Sequence, residues 1–92
     1  MAIAEVTIVP VGTSSASIGG ELSRALKILE NEKDIAYQMT SMGTVIEGEL
    51  DRVIGLVRQM HEAEFSEGVR RVHTTITIDD RRDRPSKTFM PI

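Results

Sequence analysis

Ile35-Ala36-Tyr37-Gln38-Met39-Thr40-Ser41-Met42-Gly43-Thr44-Val45-Ile46-Glu47-Gly48 is the stretch that decides the fold. Ile35, Tyr37 and Met39 alternate with their neighbours through Thr40, the period of a strand. Ser41-Met42-Gly43 is a short turn, and Thr44-Val45-Ile46-Glu47 is a β-branched run closed by Gly48. Strand, turn, strand is therefore expected in mid-chain, and the segments on either side must cover the sheet.

Upstream, Ile3 to Val9 nearly alternates and reads as a strand that Pro10 ends. Gly12-Thr13-Ser14-Ser15-Ala16-Ser17 is a loop of turn and cap residues, with Ser17 a natural N-cap. Between Ile18 and Glu32, Ile18, Leu22, Ala25, Leu26 and Leu29 follow helical spacing and predict a buried stripe. Asn31 to Asp34 is a polar break. Downstream, Glu49 and Asp51 place negative charge where a helix dipole favours it. Leu50, Val53, Ile54, Val57, Met60, His61 and Phe65 then trace one face toward a stop at Gly68. Val72, Thr74, Ile76 and Ile78 alternate in a last strand running to Asp79. The order βαββαβ predicts an α+β, ferredoxin-like sandwich, with a four-stranded antiparallel sheet and two helices on one face.

If Ala4, Val6, Ile8, Val72, Thr74, Ile76 and Ile78 look toward the helices, the other face carries Glu5, Thr7, Val9, His73, Thr75 and Thr77, joined by Gln38 and Thr40. That face is rich in threonine and poor in charge, which predicts packing against a second sheet.

The chain has 92 residues, 11 Lys and Arg against 14 Asp and Glu, no Cys and no Trp. Domains run from about 50 to 200 residues, so residues 1–92 are read as one domain. A core this small is marginal alone, and association of subunits is expected. Without cysteine there is no disulfide, thiolate nucleophile or Cys-based metal site. The first apolar run is interrupted by Glu5 and Thr7 and has no basic flank, so neither a signal peptide nor a membrane span is expected, and a soluble, cytoplasmic protein is. A net charge of −3 argues against binding nucleic acid through its phosphates. The tail 81–92 is basic and then apolar through Phe89, Met90 and Ile92, which predicts docking on a neighbouring subunit.

Motifs for catalysis or metal binding do not develop. The loop from Gly12 to Gly20 lies where a helix start could hold an anion, but lacks a P-loop ending and the GxGxxG spacing. His61-Glu62-Ala63-Glu64-Phe65 starts like HExxH and has Phe65 where the second His belongs, so no metal is expected. Asp79 and Asp80 point to opposite faces of a strand and form no acid/base pair. No enzyme activity is expected. The hairpin is different, because Thr40 to Gly48 packs hydroxyls, Met42, Gly43 and Glu47 together. It suggests a small polar ligand, with hydroxyls and backbone groups for its heteroatoms, a carboxylate for an amine or cation, and Met42 as an adaptable wall.

Pro10-Val11-Gly12-Thr13 with its serines, Met42-Gly43-Thr44-Val45-Ile46-Glu47-Gly48, Met60-His61-Glu62 and Arg71 through Asp83 together resemble the small thiamine-binding, ferredoxin-like family once catalogued as a domain of unknown function. The resemblance covers nearly the whole chain. It implies a homo-oligomer paired through its sheets, a dimer of dimers, with thiamine or its pyrimidine bound near a subunit interface. Thiamine would be a bound ligand rather than a catalytic cofactor. The resemblance further implies Glu47 as the contact for the amine or cation, Thr44 and Thr40 for hydroxyl contacts, Met42 and Gly43 as neighbours of the ligand, and Ser15 and Ser17 closing the site. Thiamine binding without turnover is the function expected; the alternative is an oligomeric regulatory or structural module with no thiamine ligand.

Overall fold

The computed structural model describes residues 1–11, 18–65 and 69–83. Its elements run β1 (Ala2–Pro10), α1 (Ile18–Leu29), β2 (Ala36–Thr40), β3 (Gly43–Gly48), α2 (Leu50–Ala63) and β4 (Val72–Asp80). The strands form one antiparallel sheet in the order β2-β3-β1-β4, so β2 and β4 are the edges and β3 and β1 the centre. This is the α+β, ferredoxin-like arrangement expected from the element order.

Register settles which residues share a face. Ala4 lies opposite Ile46 and Ile78, Val6 opposite Thr44 and Ile76, and Tyr37 and Met39 opposite Ile46 and Thr44. These residues form the helix side, where Ala4, Val6 and Ile46 join Ala25, Leu29, Val53, Leu56, Val57 and Met60 in the buried core. On the other face Glu5 pairs with Thr77, Thr7 with Thr75 and Val9 with His73, while Gln38 pairs with Val45. Alternation alone carried that division, because a strand has one side-chain period and no freedom to depart from it.

The helices depart from their expected stripes. Leu56 is fully buried, while Ile54 and Phe65 are exposed. Leu56 lies three residues from Val53 and four from Met60, on the line that faces the sheet; Ile54 is turned about 100° away from Val53. In α1 the stripe centres on Ala25 and Leu29, which leaves Leu26 exposed at its margin; the side chains of Ile18 and Leu22 lie outside the described residues. α2 also ends at Ala63 rather than at Gly68. Glu64 and Phe65 donate to the carbonyls of His61 and Glu62, three residues back, so the last turn tightens instead of continuing.

Polar contacts of Arg52 and His61 fix α2 to its surroundings. Arg52 of α2 reaches Glu32 at 2.9 Å and Asp34 at 2.8 Å, tying the helix to the segment that leads into β2. His61 Nδ1 lies 2.7 Å from the Thr74 hydroxyl of β4, and its ring meets Phe65 edge-on at 5.3 Å. No helix among the described residues is long and apolar enough to cross a membrane. The expected docking of the tail by Phe89, Met90 and Ile92 lies outside the described residues.

Candidate functional site

β1 outruns β3. Its pairing with β3 stops at Val6 and Thr44, whereas its pairing with β4 continues to Pro10 and Val72. The end of β1 therefore has a strand on one side only, and a partly open cavity of about 360 Å³ lies along the other. Val6, Ile8 and Thr44 form its sheet wall; Ala25 of α1, Met60 of α2 and Glu64 just past the end of α2 form its helix wall; Thr40, Ser41, Met42 and Gly43 close it at the hairpin.

The hairpin is shaped by Thr40. Its hydroxyl donates to the Gly43 carbonyl at 2.8 Å and accepts the Met42 and Gly43 amides at 3.1 Å each, which uses its one proton and both lone pairs. Gly43 has a φ of +150°, and a Cβ there would stand 2.5 Å from the Val6 carbonyl oxygen. Only glycine lets the hairpin approach β1 this closely. The Thr7 hydroxyl fastens the contact by donating to the Met42 carbonyl at 3.1 Å. Met42 is left with three-quarters of its surface exposed at the tip. The Thr44 hydroxyl is 3.5 Å from the Met39 sulfur, a weak acceptor, and so retains capacity for a better one.

The carboxylate at this cavity is Glu64. It is 3% exposed and takes two hydrogen bonds from Arg24, Nε to Oε2 at 2.9 Å and Nη2 to Oε1 at 2.6 Å. Such a forked pair fixes the orientation of the carboxylate in a place with little water. Apolar walls, the hydroxyls of Thr7, Thr40, Ser41 and Thr44, and one oriented carboxylate make a pocket suited to a small ring system with polar edges.

Of the residues singled out in the sequence, Thr40, Met42, Gly43 and Thr44 come together around the cavity. Glu47 does not line it. It lies three residues from Thr44 along β3, hence on the opposite face, in register with Ile3 and Ala36, and is 6% exposed. Ser15 and Ser17 lie outside the described residues. Glu64, Met60 and Ala25 were not foreseen; Met60 and Glu64 stand four residues apart on one helix face, and that spacing was the available signal.

A model of the family described as thiamine-binding protein matches residues 4–89. The chain belongs to that family. The UPF0045 protein YqgV of Bacillus subtilis is 48% identical over 87 residues, which cover 91% of this chain and 84% of the relative. The crystal structure of MJ1052 from Methanocaldococcus jannaschii superposes with a TM-score of 0.78 at 31% identity, covering 91% of this chain and 84% of that one. A Thermotoga maritima protein, provisionally named for thiamine biosynthesis or salvage, superposes at a TM-score of 0.69 with 16% identity, over 87% of this chain and 83% of that one; this likeness is one of fold.

Proposed function

We propose that this protein binds thiamine, or the aminopyrimidine half of it, in the cavity between the hairpin and α2 and holds it without converting it. The observation that carries the reading is the nearly buried, Arg24-oriented carboxylate of Glu64 beside apolar walls, in a chain of the thiamine-binding family. A cavity of 360 Å³ falls within the range of about 300–1,000 Å³ typical of small-molecule sites. The thiazolium of thiamine is permanently cationic, and a fixed carboxylate stabilises such a charge where water is scarce. Met42 and Met60 offer polarizable thioethers to the rings, and the Thr44 hydroxyl a polar contact. Thiamine is here a ligand, not a cofactor, and Glu47 serves the opposite face.

Calorimetric titration with thiamine, its hydroxymethylpyrimidine and its phosphates tests the proposal. Saturable heat with one ligand per chain, and recovery of that ligand unchanged by chromatography, supports it. Absence of heat for all of them at millimolar ligand overturns it, and recovery of a converted product overturns binding without turnover.

The same reading has the open face of the sheet, with Val9, His73, Thr75 and Thr77 exposed, pair with a second copy toward a dimer of dimers in the cytoplasm. Native mass spectrometry reads the subunit number directly; a monomer at micromolar concentration contradicts the pairing.

A further inference from the structure

The direction of the main chain in β1 is fixed by two contacts. Val11 N–H donates to the Arg71 carbonyl at 2.8 Å, so odd-numbered residues at this end of β1 turn their backbone groups toward β4. The Val6 carbonyl points the other way, at Gly43. Backbone polarity alternates along a strand, so the N–H and C=O of Ile8 also point to the β3 side, past the last pairing of β3 at Thr44. Pro10 obeys the same parity: it has no N–H to give, and proline is admitted into a strand where that position faces no ladder. Among the described residues no backbone group bonds Ile8 on this side, and Ile8 lines the cavity.

We propose that the Ile8 main chain is the hydrogen-bonding edge that reads the ligand, taking a planar heterocycle that carries a ring nitrogen acceptor beside an amino donor. This rests on the thiamine reading of the cavity and deepens it. The amide and carbonyl of one extended residue lie side by side and present one donor next to one acceptor. A 4-aminopyrimidine presents the complement, a ring nitrogen next to an amino group, and would close both bonds in the manner of a short strand pair. A protein strand is a poorer occupant, because the free edge offers a single such pair before Pro10, and the hairpin blocks continuation on its other side. The selectivity follows from burial: a 4-oxo pyrimidine carries its proton on the ring nitrogen, so in the pose of the amino ligand it sets N–H against the Ile8 N–H and carbonyl against the Ile8 carbonyl.

The test uses protein labelled with ¹⁵N-isoleucine and ¹³C-methyl methionine, titrated first with thiamine and then with the 4-amino and 4-oxo hydroxymethylpyrimidines. The expected result is a downfield shift and slowed exchange of the Ile8 amide, in step with the Met42 and Met60 methyls, for the amino ligands. The Ile8→Pro variant removes the donor while sparing the β4 ladder, and should weaken thiamine binding on the order of tenfold; should it not fold, the amide shift in the unaltered chain decides alone. Methyl shifts with a stationary Ile8 amide overturn the edge proposal and leave the cavity reading standing. Equal binding of the 4-oxo pyrimidine also overturns it. If neither methyls nor amide respond to any ligand, the cavity reading fails and the edge proposal with it.

Discussion

Arg24 and Glu64 meet across the two helices through paired hydrogen bonds of 2.9 and 2.6 Å, forty residues apart in the chain. The pair joins α1 to the C-terminal end of α2, and its Glu64 member forms part of the cavity wall. Removing Arg24 leaves a carboxylate in a place with little water. Arg24→Ala should cost about 1–3 kcal/mol in urea unfolding, below the figure for a fully buried pair because Arg24 itself is partly exposed. A cost under about 0.5 kcal/mol would show that Glu64 finds water or another partner.

Gly43 sits at a φ of +150° with the Val6 carbonyl 2.5 Å from where a Cβ would stand. Gly43→Ala must either strain that backbone or push the hairpin off β1. A loss of about 1–2 kcal/mol is expected, which for a domain of this size lowers the melting temperature by roughly 5–15 °C. An unchanged melting temperature would mean the hairpin does not hold this approach in solution.

Leu56 and Ile54 provide a paired test of the helix face. Leu56 is fully buried and Ile54 is 47% exposed. Leu56→Ala should cost about 2–5 kcal/mol, and Ile54→Ala no more than about 0.5 kcal/mol. The reverse order in denaturant unfolding would place α2 in a different rotation on the sheet.

The strands were legible because their rule is local. Glu5, Thr7 and Val9 had to share a face opposite Ala4, Val6 and Ile8, and their partners in β4 followed from the same alternation. The rotation of α2 was less legible, since Ile54 and Leu56 are both apolar and the sheet alone decides which is covered. The hairpin half of the cavity was visible in Thr40, Met42, Gly43 and Thr44. Its helix half was less so: Met60 and Glu64 carry the spacing of one helix face, but the contact of Glu64 with Arg24, forty residues away, follows from no local pattern. The separation of Thr44 from Glu47, three residues along one strand, does put them on opposite faces, and that parity was readable from the sequence.

Acid stability should depend on Asp34. The Arg52 guanidinium bonded to it lowers its pKa below the ordinary value of 3.8. A carboxyl with a depressed folded pKa contributes stability above its unfolded pKa and loses it as pH falls through the folded one. Asp34→Asn should therefore lower the melting temperature slightly at pH 7, and the difference from the unaltered chain should begin to shrink as pH falls through about 4 and vanish once pH is below the lowered folded pKa. A difference that persists unchanged at pH 2 would indicate a role for Asp34 other than its charge.

The most direct measurement is a crystal structure of the protein grown with thiamine. The expected result is thiamine in the cavity bounded by Val6, Ile8, Thr44, Met60 and Glu64, its aminopyrimidine against the Ile8 main chain and its thiazolium toward the Glu64 carboxylate. Thiamine bound on the opposite face beside Glu47, with this cavity empty, would contradict it.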